Sequence, residues 1–91
     1  MHGEYKTPGG KLVVVDFDVR DGRLTGAMVS GDFFLYPEEA LEHIAGALDG
    51  LPADASEERV AQSVAAALPE GTEMLGFSPE AIAIAVRRGL A

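Results

Sequence analysis

Lys11-Leu12-Val13-Val14-Val15-Asp16-Phe17-Asp18-Val19-Arg20-Asp21-Gly22 is the stretch that decides the fold. Val13, Val15, Phe17 and Val19 alternate with Asp16, Asp18 and Arg20, so one face of the segment is apolar and the other charged. That two-residue period is the signature of a strand with one buried face. Asp21-Gly22 follows at once and supplies the positive φ angles of a tight hairpin turn. A second antiparallel strand is therefore predicted over roughly Arg23 to Ser30. Gly31-Asp32 would bulge or break it. Phe33-Phe34-Leu35-Tyr36 then resumes as a short aromatic strand end.

Working outward, residues 1–10 are polar and end in Thr7-Pro8-Gly9-Gly10, which reads as a loop-like N-terminal arm. Downstream the period changes. Pro37 opens a helix, Glu38 and Glu39 suit its positive end, and Leu41, Ile44, Ala45 and Leu48 form the apolar stripe. Gly50 stops it. Asp54 or Ser56 caps a second helix carrying Val60, Val64, Ala67 and Leu68, which Pro69 ends. Met74-Leu75-Gly76-Phe77 is a short extended piece. Ser78-Pro79-Glu80 caps a last helix to about Arg88, with Ile82, Ala85 and Val86 facing the core. Strands grouped before about three helices predict an α+β domain, with helices on one face of a small antiparallel sheet.

Composition sets the outer limits. The 91 residues make one domain, 1–91, with 47% hydrophobic residues and a formal charge of −8. Such acidity opposes phosphate binding, so no nucleic-acid partner is expected. The absence of Cys excludes thiolate zinc sites, iron–sulfur clusters and Cys nucleophiles. The N-terminal residues carry no apolar signal run, and no stretch approaches the ~20 apolar residues of a membrane span. A cytoplasmic protein without a membrane partner is the expectation.

Catalytic templates fail one by one. Gly9-Gly10-Lys11 lacks the spacing of a phosphate loop and leads into a strand, not a helix N-terminus. His2 and His43 lie far apart in sequence, and His43 points away from the Leu41 stripe, so both read as surface histidines. Asp16 with Asp18, and Glu38, Glu39 and Glu42, read as solvated acidic faces. No serine stands in a G-x-S-x-G context. An acyl carrier would need an Asp-Ser-Leu at a helix start. A lipoyl or biotinyl carrier would be all-β with a Lys at a hairpin tip, where this chain has Asp21-Gly22. No catalytic, cofactor-binding or metal-ligating residue is assigned.

What the chain has in excess is apolar surface. Leu12 and Val14 oppose Val13 and Val15. Phe34 and Tyr36 oppose Phe33 and Leu35. Ile84 falls off the core stripe of the last helix. Contiguous exposed apolar patches usually mark interaction sites. Lys11, Leu12, Val14, Phe34, Tyr36 and Ile84 are accordingly the candidate partner-contact residues. Lys11 would either reach a carboxylate or phosphate or remain a solvated cation at a strand start.

Three segments carry a family resemblance. Lys6-Thr7-Pro8-Gly9-Gly10-Lys11-Leu12-Val13-Val14-Val15 with its Asp-Gly hairpin resembles the start of the accessory, C-terminal-type domain of lipoate–protein ligases. Ser30-Gly31-Asp32-Phe33-Phe34-Leu35-Tyr36-Pro37-Glu38-Glu39-Ala40 resembles the strand-to-helix junction of that domain, and Gly76-Phe77-Ser78-Pro79-Glu80-Ala81-Ile82 its last helix. The chain is similar to the stand-alone small subunit of a bipartite ligase, with an excised domain as the alternative. The resemblance implies a fold like that of iron–sulfur scaffold proteins, without their Cys ligands. It also implies a non-catalytic partner of the catalytic subunit. That subunit would hold lipoate and ATP with Mg²⁺ and form lipoyl-AMP. The lipoyl group would then pass to an acceptor lysine on a glycine-cleavage carrier or a 2-oxoacid dehydrogenase acyltransferase. The rival expectation is a free-standing interaction or regulatory module, or a homodimer that buries its own patch.

Overall fold

The computed structural model describes residues 1–91. Strands β1 (His2–Lys6), β2 (Leu12–Arg20) and β3 (Arg23–Gly31) form an antiparallel sheet in that order. A second, two-stranded ribbon pairs β4 (Phe34–Tyr36) with β5 (Glu73–Leu75). Three helices complete the fold: α1 (Ala40–Leu48), α2 (Glu57–Ala67) and α3 (Pro79–Leu90). α1 lies against β3 and α3 against β1 and β2, while α2 packs on α1 and α3 rather than on the strands. This is the α+β arrangement that the order of periods predicts.

The hairpin is as predicted. Asp21 and Gly22 have φ of 53° and 74°, and Arg20 pairs with Arg23 across the turn. Val13, Val15 and Phe17 point into the core with Leu24, Ala27 and Val29 from β3. From the helices come Ile44 and Leu48, Val60 and Val64, and Ile82, Ala85 and Val86. No polar or charged side chain is buried. Ser56 and Ser78 cap α2 and α3, each accepting from the backbone N–H three residues on at 3.1 Å. Each such cap contributes about 1 kcal/mol.

Four boundaries differ from the sequence reading. Residues 2–6 are not a loose arm but a strand, with Gly3 opposite Val15 and Tyr5 opposite Val13. Its inward residue Gly3 is buried without adding an apolar side chain, so the alternation that betrays a strand is missing. A Cβ there would stand 1.8 Å from the carbonyl oxygen of Ala85, so glycine is what lets α3 settle onto β1. The bulge in the hairpin sits between Asp16 and Asp18 opposite Gly26, whose φ is 62°, not at Gly31. The carboxylate of Asp49, just past α1, accepts from the Ala27 N–H beside it at 2.9 Å. Regular α1 begins at Ala40 rather than Pro37, after three i→i+3 turns accepted by Pro37, Glu38 and Glu39. Finally, Phe34–Tyr36 does not prolong β3. The chain turns at Gly31-Asp32, where Asp32 bonds both ways to the backbone of Leu12, and the aromatic segment finds its own partner in β5.

Candidate functional site

The β4–β5 ribbon sorts its side chains by the two-residue period. Leu35 and Met74, paired across the strands, turn inward and pack on the core. Phe33, just before β4, stacks on the buried Phe77 ring with centroids 3.8 Å apart. Phe34 and Leu75 form the next pair and turn outward, 75% and 62% exposed, beside Tyr36 at 70%. Three large apolar side chains on one small ribbon face are thus left in solvent. Small domains expose apolar atoms routinely, but a paired, adjoining set of this size is a contiguous patch of the kind that usually marks interaction sites.

Beside the ribbon runs a groove of about 690 Å³, bounded by the end of β3, by β4 and by the start of α1. Its apolar lining includes Phe34, Leu35 and Leu41, and Glu38, Glu39 and Glu42 stand at its rim. All three glutamates are exposed, and none is paired with a cation.

The remaining candidate residues are placed as follows. Lys11 is exposed at the joint between sheet and ribbon. Its N–H donates to the Gly76 carbonyl at 3.3 Å, and its aliphatic stem lies over Gly76. Leu12 and Val14 lie half-buried on the face of β2 opposite the helices, with Ser30 across from Val14 on β3. Ile84 does not join this surface. It is half-buried in the groove between α2 and α3, with Ala61 and Ala65, on the helical side of the molecule. The structure therefore brings Lys11 and Leu12 to the base of the ribbon that carries Phe34 and Tyr36, and separates Ile84 from them.

Sequence reasoning missed Leu75, the acidic groove rim as a unit, and Met28, which is 70% exposed on the outer sheet face. The signal for Leu75 was present: Met74-Leu75 alternates as Leu35-Tyr36 does. Nothing in the sequence says that the two segments pair.

Charged groups elsewhere serve the fold. Arg87 on α3 donates to the carbonyls of Ala53 and Ala55 at 3.1 and 3.3 Å. Arg88 lies 4.9 Å over the Tyr5 ring and donates to the Glu4 carbonyl. His2, on edge strand β1, is held by Glu4 at 2.5 Å through Nε2 and by Asp16 at 2.6 Å through Nδ1. Hydrogen bonding to Glu4 first, and to Asp16 second, raises its pKa above the ordinary value. Both ring nitrogens are thereby occupied. No group of three or more His, Asp or Glu side chains is arranged to hold a metal ion. No helix is long and apolar enough to cross a membrane.

No protein-family model matches the chain, and no curated protein matches it. Among solved structures, it is similar to a chain of an archaeal lipoylation system from Thermoplasma acidophilum, a bipartite lipoate protein ligase and its E2 lipoyl domain. The likeness has 26% identity and a TM-score of 0.69 and covers 96% of this chain and 98% of that one. The fold is thus similar, end to end, to one chain of a lipoylation system.

Proposed function

We propose that this protein is the accessory subunit of a bipartite lipoate–protein ligase. The observation that supports this reading best is the end-to-end likeness to a component of such a system, at nearly equal chain length. Of the components named, the E2 lipoyl domain fits poorly. A lipoyl domain would be all-β with its lysine at a hairpin tip. This chain has three helices, and its one two-residue tip is Asp21-Gly22. Lys6 and Lys11 stand at the base of the β1–β2 turn, away from that tip. A subunit that enclosed both ATP and lipoate would need polar groups converging in a cleft, whereas no polar or charged side chain here is buried.

On this reading the catalytic subunit, in the cytoplasm, holds lipoate and ATP with Mg²⁺. The lipoate carboxylate attacks the α-phosphorus of ATP, giving lipoyl-AMP and releasing pyrophosphate. The acceptor lysine amine then attacks the mixed anhydride, forming the amide and releasing AMP. The accessory subunit contributes no reacting atom. It docks through Phe34, Tyr36 and Leu75 and orders loops of its partner over the site. Two anionic substrates are thereby held in line, and water is kept from the anhydride. Each aromatic buried on docking favours the complex by roughly 1.5–3 kcal/mol before ordering costs.

The test is lipoylation of an acceptor domain by the purified catalytic subunit, with and without this protein. From lipoate and ATP the reaction should depend strongly on it, and from preformed lipoyl-AMP much less. The double variant Phe34→Asp/Tyr36→Asp should remain folded and lose the stimulation. Unchanged ATP-dependent lipoylation by that variant would defeat the docking surface. A stable homodimer indifferent to the catalytic subunit would favour the free-standing module instead.

A further inference from the structure

The groove beside the ribbon has a chemistry that docking through aromatic residues alone does not require. Phe34, Leu35 and Leu41 give it apolar walls, and Glu38, Glu39 and Glu42 stand over them. No Lys, Arg or His lines it. Acidic residues do suit the start of α1, where the helix dipole is positive. That accounts for the sign of the charge but not for the apolar walls beneath it. Nor does it account for three adjacent carboxylates left without a cation in a chain already at −8.

Resting on the accessory-subunit reading, we propose that this groove receives a basic, apolar-anchored segment of the catalytic subunit. An apolar side chain of that segment lies between Phe34 and Leu41, and its Lys or Arg residues meet the three glutamates. Charge complementarity selects this occupant. An acidic or neutral partner would desolvate the carboxylates with nothing to offset the cost. A second copy of this chain would bring its own glutamate rim against the first, which like-charge repulsion opposes. The overall negative field also draws a basic surface in and raises its encounter rate.

The experiment measures binding of the catalytic subunit from the same organism by calorimetry, alongside stimulation of ATP-dependent lipoylation. The proteins compared are wild type, the rim reversal Glu38→Lys/Glu42→Lys, the rim neutralisation Glu38→Gln/Glu42→Gln, and a reversal of equal charge elsewhere, Asp54→Lys/Glu58→Lys. Thermal melts establish that each is folded. Wild-type affinity should fall about tenfold or more between 50 and 500 mM NaCl. The rim reversal should weaken binding about tenfold or more and the neutralisation less, while the distant reversal should change it no more than about twofold. The salt titration needs no variant, so binding indifferent to salt overturns the proposal even where a variant is unstable, and the contrast of rim with distant reversal places the effect at the groove. Binding indifferent to salt, or rim and distant reversals that act alike, would overturn the groove assignment while leaving the accessory role standing. A catalytic subunit that neither binds the wild type nor is stimulated by it would remove both.

Discussion

The sheet-and-helix body and the β4–β5 ribbon use the same alternation for opposite ends. In β2 the inward side chains Val13, Val15 and Phe17 are fully or nearly fully buried, and the outward positions beyond Val14 are Asp16 and Asp18. In the ribbon the inward side chains Leu35 and Met74 are likewise packed, but the outward ones are Phe34, Tyr36 and Leu75. A strand that served only this chain would carry polar residues there. The apolar outer face of the ribbon adds little to the stability of the isolated domain, and on the proposed reading it serves contact with another molecule. The body stabilises the fold and the ribbon presents a surface.

The contrast breaks most visibly under substitution. Ile82→Ala empties a fully buried position in the first turn of α3 and should cost about 2–5 kcal/mol, a large share of the stability of a domain this small. Phe34→Ala removes a larger side chain yet should shift stability by less than about 0.5 kcal/mol, because little of that ring is buried. Urea unfolding of the two variants against wild type checks the pair. If Phe34→Ala proved as costly as Ile82→Ala, the ribbon would be part of the core and the division drawn here would fail.

Next in size is the seam between β1 and α3. Gly3→Ala places a methyl group against the Ala85 carbonyl and close to the Gly89 nitrogen, both backbone atoms that cannot step aside. The helix must lift from the strand, at about 1–3 kcal/mol. A thermal melt should show the loss, and amide exchange should show weakened protection in β1 and α3. A wild-type-like melt would mean that β1 is loosely attached, as the N-terminal reading of the sequence supposes.

That seam also shows what the sequence could reveal. The β2–β3 hairpin was legible because Val13, Val15 and Phe17 alternate with charged residues up to Asp21-Gly22. The helices were legible from Ile44, Leu48, Val60, Val64, Ile82 and Val86 and from the caps at Ser56 and Ser78. β1 was hidden because its one fully inward residue is Gly3, which is selected for closeness rather than apolarity. Of the candidate surface, Phe34 and Tyr36 were legible from alternation within four residues. Leu75 was not, because its pairing with Phe34 joins segments about forty residues apart, and no local period records it. The glutamates were legible as an acidic face, but the apolar groove beneath them forms only when β3, β4 and α1 fold together.

Smaller again are the caps. Ser78→Ala leaves the Ala81 N–H without its side-chain acceptor at the start of the helix that carries Ile82 and Val86. About 1 kcal/mol should be lost, and Ser78→Asp should recover most of it, since a carboxylate caps as well and favours the dipole. Ligase stimulation should be unchanged in both variants once they are folded, because the cap belongs to the body.

The smallest effect lies on the outer face of β1. The bonds of His2 to Glu4 and Asp16 favour the imidazolium, so its folded pKa lies above the unfolded value of about 6.5. A group whose pKa is raised by folding adds stability while it is protonated in both states' reference, that is, below about pH 6.5. The contribution is lost as pH rises through the folded pKa. Because His2 is half exposed and solvent screens its pairs, the change should be slight. The difference in melting temperature between wild type and His2→Gln should be positive at pH 5.5 and shrink toward zero as pH increases past neutrality. NMR titration of the imidazole should place its midpoint above that of a free histidine, and Glu4→Gln should lower it, Glu4 being the stronger of the two influences. A midpoint at or below the free value would show that the triad does not persist in solution. The edge strand would then be held by its backbone ladder, the Gly3 seam and the contacts of Arg88 with Tyr5 and Glu4.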